Sequence, residues 1–196
     1  QNGRILMLAP TKPLVEQHYR FFKNYLVAGE NGSGFAMFTG ESPPEERRNE
    51  FQGANVIFAT PQVIKNDLLS GAYTLEDVTL LIIDECHRAV GNYAYVFIAG
   101  RYRETARLPL ILAMTASPGG RDEKVREICR NLGIEIIESR TEQDTDVMPY
   151  VHEREIEVIE VTLPVPLQRA VDDLNELLEK RLRNLQELGY TVPKRQ

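Results

Sequence analysis

The chain has 196 residues, of which 42% are hydrophobic, enough for one domain with an appendage and a buried core. Its formal charge of −6 offers no overall attraction for a polyanion, although a local groove could bind one without it. No apolar run approaches the ~18 residues of a membrane helix and no signal peptide opens the chain, so the expectation is a soluble, intracellular and cytoplasmic protein with no membrane partner.

The first apolar run predicts a strand over Ile5–Ala9, entered almost directly from Gln1, so the chain reads as a fragment of something longer. Ala9-Pro10-Thr11-Lys12-Pro13-Leu14-Val15 follows it and leads into a helix over Pro13–Tyr25. Gly29-Glu30-Asn31-Gly32-Ser33-Gly34 is glycine-rich but carries no Lys and precedes a strand, which makes it a turn. No stretch matches G-x-x-x-x-G-K-[ST], whose backbone amides and Lys would cradle a triphosphate. A strand over Phe35–Thr39 and a helix over Pro43–Phe51 come next. A strand over Val56–Ala59 then runs through Ala59-Thr60-Pro61-Gln62 into a helix over Pro61–Leu69. Pro13, Pro43 and Pro61 suit the first turns of their helices.

The run Leu80–Asp84 ends in Asp84-Glu85-Cys86-His87. A helix over Tyr93–Glu104, a strand over Leu110–Thr115, a helix over Asp122–Asn131 and a short strand over Glu135–Ile137 complete a repeated βα pattern. Such repetition implies a mostly parallel sheet with helices on both faces. Thr141–Asp146 is polar and reads as a linker, and Glu155–Leu163 alternates, with one slip at Val158-Ile159, like a half-exposed strand. Leu167, Val171, Leu174, Leu178, Leu182, Leu185 and Leu188 recur at helical spacing, predicting a long amphipathic helix that Gly189 ends.

Two adjacent carboxylates at the carboxyl end of a buried strand have a specific chemical use. Asp84 can hold a hard cation through oxygen, and Glu85 can take a proton from an attacking water. The same pair could instead cap a following helix. Cys86 and Cys129 have no partners at metal-ligand spacing and read as reduced thiols, Cys86 as a packing residue. Gln17 and His18 read as helix-surface residues, and Tyr93 and Tyr95 as packing residues with base stacking as the alternative.

The order of segments separates the two readings of the carboxylates. The Ala9–Val15 segment, Ala59–Gln62, the DECH tetrad and Met114-Thr115-Ala116-Ser117-Pro118 resemble motifs Ia, Ib, II and III of superfamily 2 helicases, in the correct order. Asp84–Ala99 with Met114–Gly119, Asp146–Val151 and the leucine-patterned helix look like the archaeal Hef and Fanconi anaemia M helicase family. The resemblance implies an incomplete RecA-like P-loop NTPase lobe over 1–140 that lacks motif I. A linker and connecting strand would follow over 141–163, and 164–196 would start a helical insertion domain.

Implied with it are ATP and Mg²⁺ as cofactors, branched or forked DNA as partner with RNA as an alternative, and a second RecA-like lobe of the same parent chain. Asp84 would hold Mg²⁺, Glu85 would orient and deprotonate the water, and His87 would relay the nucleotide state to Thr115 and Ser117. Pro10, Thr11, Lys12, Thr39, Gly40, Thr60 and Gln62 would line a nucleic-acid backbone, positioning it without reading sequence. Without a P-loop and second lobe the chain alone would not hydrolyse ATP. Two other readings stay open: a double-stranded RNA helicase of the innate-immune type, which shares the DECH tetrad, and a non-catalytic nucleic-acid-binding module.

Overall fold

The structure, a computed structural model, describes residues 3–25, 34–117, 122–141, 143–145, 147–150, 157, 159, 161 and 164–190. Five strands form one sheet: β1 (Arg4–Leu8), β2 (Phe35–Phe38), β3 (Val56–Ala59), β4 (Val78–Ile83) and β5 (Ile111–Ala113). Their spatial order is β2-β3-β1-β4-β5, and every pairing is parallel. The helices of this region are α1 (Lys12–Tyr25), α2 (Pro44–Gly53), α3 (Pro61–Leu69), α4 (Ala94–Thr105) and α5 (Asp122–Leu132).

Alternation along each strand supplies two cores. Leu6 and Leu8 of β1, Ile57 and Ala59 of β3, and Leu81 and Ile83 of β4 point to one face, where Phe51, Ile64, Tyr95, Ile98, Tyr102 and Leu132 from α2 to α5 bury them. The intervening Met7 and Phe58 point to the other, beneath Val15, Tyr19 and Phe22 of α1. A strand buried on both faces must be apolar nearly throughout, which is why β3 and β4 read as continuous runs.

The register fixes where loops emerge. Phe38 pairs with Ala59, Ala59 with Leu8, Leu8 with Ile83, and Ile83 with Ala113. The five strands therefore end in a row, and each following loop starts along one edge of the sheet. In an open parallel sheet that edge is where ligands bind.

Between α2 and α3 lies a buried polar cluster. Arg47 grips Asp67 with two N–H groups at 2.7 and 2.5 Å, and the Tyr73 hydroxyl donates to the same carboxylate at 2.9 Å. Both charged side chains are under a tenth exposed. The ion pair is thus desolvated but hydrogen-bonded, the condition under which burying charge is tolerable.

Two strand expectations need correction or trimming. Residues 135–137 form no strand: Ile136 and Ile137 are exposed, and among the described residues no neighbouring strand offers them a ladder. Two apolar residues without a pairing partner cannot make a strand. β5 is shorter than expected, although Leu110 and Met114 extend its pairing to β4 through one backbone hydrogen bond each. The Gly29–Gly34 turn falls largely outside the described residues, as does most of Glu155–Leu163; positions 157, 159 and 161 are exposed.

The chain divides into two compact units, Gln1–Ser139 and Arg140–Gln196. The second contains α6 (Val165–Glu187), along which Leu167, Val171, Leu174, Leu178, Leu185 and Leu188 form an exposed stripe. Gly189 ends it at φ +86°, where a Cβ would be strained. Its N–H reaches the Gln186 carbonyl and that of Tyr190 the Leu185 carbonyl, closing a Schellman motif.

Candidate functional site

The tetrad begins one residue beyond β4. The Asp84 N–H donates to the Leu8 carbonyl at 2.9 Å, so this residue still belongs to the ladder with β1. Glu85 then turns the chain into the left-handed region at φ 50°, ψ 46°, the one non-glycine residue with positive φ among those described. That conformation costs an L-residue about 1 kcal/mol, and such strain concentrates at functional sites. A single 3₁₀ turn over Cys86–Arg88 follows.

Neighbouring elements fix the turn from several sides. The Cys86 N–H donates to the Met114 carbonyl at 2.9 Å, and the Met114 N–H to the Ile83 carbonyl at 2.8 Å. The Asn131 side chain on α5 donates to the Ala89 carbonyl at 2.9 Å, and the Tyr95 hydroxyl on α4 to the Asp84 carbonyl at 2.8 Å. Burial pushes the Cys86 thiol up to about 11, with Cys129 a smaller contributor, so it is protonated at neutral pH and serves packing.

The side chains of the tetrad diverge. Asp84 Oδ1 accepts the Glu85 N–H at 2.8 Å, and Oδ2 lies 2.7 Å from His18 Nε2 on α1. Glu85 points the opposite way, toward β5: its Oε2 accepts the Thr115 hydroxyl at 3.3 Å and lies 3.1 Å from His87 Nδ1. His87 Nδ1 is also 3.0 Å from Thr115 Oγ1. Since the Thr115 proton goes to Glu85, the tautomer that satisfies both contacts carries hydrogen on Nδ1. Ser117 joins through its backbone, whose N–H donates to Thr115 Oγ1 at 3.1 Å. Glu85, His87, Thr115 and Ser117 are therefore one connected network.

The loops after β1, β2 and β3 occupy the rest of the edge. Thr11 accepts the Val15 N–H at its carbonyl and opens α1, while Lys12 reaches Glu41 at 2.5 Å and Glu16 at 3.7 Å. The Glu41 hydrogen bond above all holds the Lys12 ammonium above its usual range. Thr39 is buried, and its hydroxyl accepts the Glu41 N–H, so its side chain shapes the turn while Gly40 faces outward. Thr60 precedes α3 without capping it by its side chain, and Gln62 donates to Asn66 at 2.9 Å. Pro10, Thr60 and Gln62 share a recess of about 280 Å³ with Asn92 and Tyr93.

Two residues were missed or misread from sequence. His18 is no plain helix-surface residue, because it engages Asp84, and no local spacing along α1 signals that contact. Tyr95 is fully buried, as packing requires, but its hydroxyl also anchors Asp84.

Among the described residues no three His, Cys, Asp or Glu side chains converge as a metal cage. Asp84 supplies a lone carboxylate, a donor set that suits a hard cation shared with a ligand's phosphates rather than one enclosed by protein. The residues fit Mg²⁺ in that sense.

Comparison with known proteins accords with this geometry. Along 189 residues the chain is 41% identical to a protein named ATP-dependent RNA helicase MJ1505 from Methanocaldococcus jannaschii, a match covering 96% of this chain and 24% of that one. It is 43% identical over 161 residues to the ATP-dependent DNA helicase mph1 of Aspergillus fumigatus, covering 81% and 14%. The crystal structure of the Pyrococcus furiosus Hef helicase domain superposes with a TM-score of 0.72 at 47% identity, over 98% of this chain and 42% of that one. The chain thus spans less than a quarter of these curated relatives' length. Residues 1–125 match the DEAD/DEAH box helicase family, and the chain belongs to that family.

Proposed function

We propose that the chain is most of the first motor lobe of an ATP-dependent helicase that remodels branched or forked DNA. The observation that carries this reading is the network at the end of β4 and β5, in which Glu85 is held by Thr115 and His87 beside an Asp84 fixed separately. Glu85 Oε2 accepts the proton of the attacking water, and His87 with Thr115 keeps that oxygen aimed. Asp84 would hold Mg²⁺, which would supply positive charge to offset that of the phosphates. Ser117 ties the network to the segment after β5.

Pro10, Thr11, Lys12, Gly40, Thr60 and Gln62 contact the sugar-phosphate backbone, with Thr39 acting through the turn it shapes. Residues 1–140 form the partial RecA-like lobe, 141–163 the connection, and 164–196 the opening of a helical insertion. The P-loop and second lobe come from the rest of the parent protein, which works inside the cell. No described helix is long and apolar enough to cross a membrane.

The name of the mph1 relative favours DNA, whereas that of MJ1505 includes RNA. ATP turnover of the intact parent, at one moderate salt concentration, with forked DNA, plain duplex and double-stranded RNA as separate stimulators decides the substrate. Stimulation chiefly by forked DNA is expected. Stimulation chiefly by RNA would reassign the substrate, and no turnover with any of them would leave a non-catalytic binding module.

A further inference from the structure

The contact between His18 and Asp84 is used by none of the roles above. Both side chains are about four-fifths buried, and their 2.7 Å separation is that of a short hydrogen bond. An ionised carboxylate only accepts, so His18 Nε2 carries the hydrogen. Asp84 Oδ1 is already taken by the Glu85 N–H. A carboxylate engaged at both oxygens has a fixed plane, and its remaining lone pairs have fixed directions. Among the described residues the carboxylate has two contacts, one internal to the tetrad, and only His18 ties it to another element.

That element is informative. α1 opens at Lys12, directly after Pro10 and Thr11, and His18 lies less than about two turns along the same helix. A short helix transmits displacement along its axis as a rigid rod. Whatever pulls on the amino end of α1 therefore acts on the hydrogen bond to Asp84. The loop before α3 has no equivalent: among the described residues no side chain of Thr60 or Gln62 bonds to Asp84.

We propose that His18 is a positioning residue through which a nucleic-acid phosphate at the Pro10–Lys12 loop sets the orientation of Asp84, and with it the grip of that carboxylate on the divalent cation. This rests on the motor reading above. His18 touches neither nucleic acid nor nucleotide and acts only through Asp84.

The test uses the intact parent helicase saturated with a non-hydrolysable ATP analogue, with Mg²⁺ titrated calorimetrically in the presence and absence of forked DNA. In the native protein DNA tightens Mg²⁺ binding by roughly fivefold or more. His18→Ala abolishes that DNA-dependent change while DNA affinity measured without nucleotide stays within about twofold, as expected for a loss of coupling rather than of binding. His18→Gln, whose amide N–H can still donate to Asp84, restores at least part of it. Retention of the DNA effect in His18→Ala overturns the proposal, as does its absence from a native protein that turns over ATP with DNA. A native protein with no turnover on any nucleic acid overturns the motor reading itself.

Discussion

The Tyr95 hydroxyl donates to the Asp84 carbonyl at 2.8 Å from the buried side of α4, tying a core tyrosine to the residue that follows β4. Burial, chiefly, raises that phenol above its usual range, so it remains a donor throughout the neutral region. Tyr95→Phe is expected to lower stability by about 1–2 kcal/mol, because it leaves a carbonyl without its partner. Urea unfolding measures this, and an unchanged midpoint would mean that the carbonyl is satisfied in another way.

Arg47 and Asp67 test a different kind of contact. Arg47→Met strands a buried carboxylate and should cost about 3 kcal/mol. Adding Asp67→Leu and Tyr73→Phe removes the orphaned groups, and the triple variant should recover at least half of that loss. A triple variant less stable than Arg47→Met alone would contradict the desolvation argument.

Glu85 combines a proposed chemical role with a strained backbone. Glu85→Gln in the intact parent should lower ATP turnover by about 10²–10⁴-fold with nucleotide binding retained. Glu85→Asn should be as inactive but melt no lower than the native protein, since Asn tolerates the left-handed region. Turnover surviving in either variant would remove Glu85 from the role of base.

Alkali should weaken the first unit in a defined order. A folded-state pKa above the unfolded one gives stability that is complete below the unfolded value and is lost as pH rises toward the folded value. For Cys86 that window runs from about 9 to about 11. Tyr73 and Tyr95, also raised mainly by burial, begin to contribute above the ordinary phenol value of about 10. Urea midpoints should therefore fall between about pH 9 and pH 11, and Cys86→Ala should flatten the first part of that decline. An identical slope in the variant would exclude the thiol as its source.

Lys12 carries its own anion in Glu41, so a phosphate must displace a carboxylate to reach it. Glu41→Gln should tighten binding of single-stranded or forked DNA and steepen its dependence on log salt by up to about one unit. Filter binding across a salt series reads both quantities; an unchanged slope would mean that Lys12 makes no phosphate contact.

Much of this architecture was legible from local pattern. The runs that became β3 and β4 are apolar nearly throughout because both faces are covered, and Pro61 marked the first residue of α3. Gly189 marked the end of α6 for a backbone reason that needs no tertiary partner. Residues 135–137 misled because apolar character alone says nothing about whether a ladder partner is present. At the site, the DECH tetrad was visible as text, but the engagement of Asp84 by His18, 66 positions away, was not. Nor was the Arg47–Asp67 pair, whose members look like two ordinary charges on two separate helices.

The left-handed turn at Glu85 has one more consequence. Because it swings consecutive side chains to opposite flanks of β4, the two carboxylates answer to different parts of the molecule: Asp84 to α1, Glu85 to the segment after β5. Each can be retuned without its neighbour. On the proposed roles, a substitution on α1 loosens the hold on a cation while leaving proton transfer intact, and one near Thr115 does the reverse. Adjacent in sequence, the pair is separable in evolution.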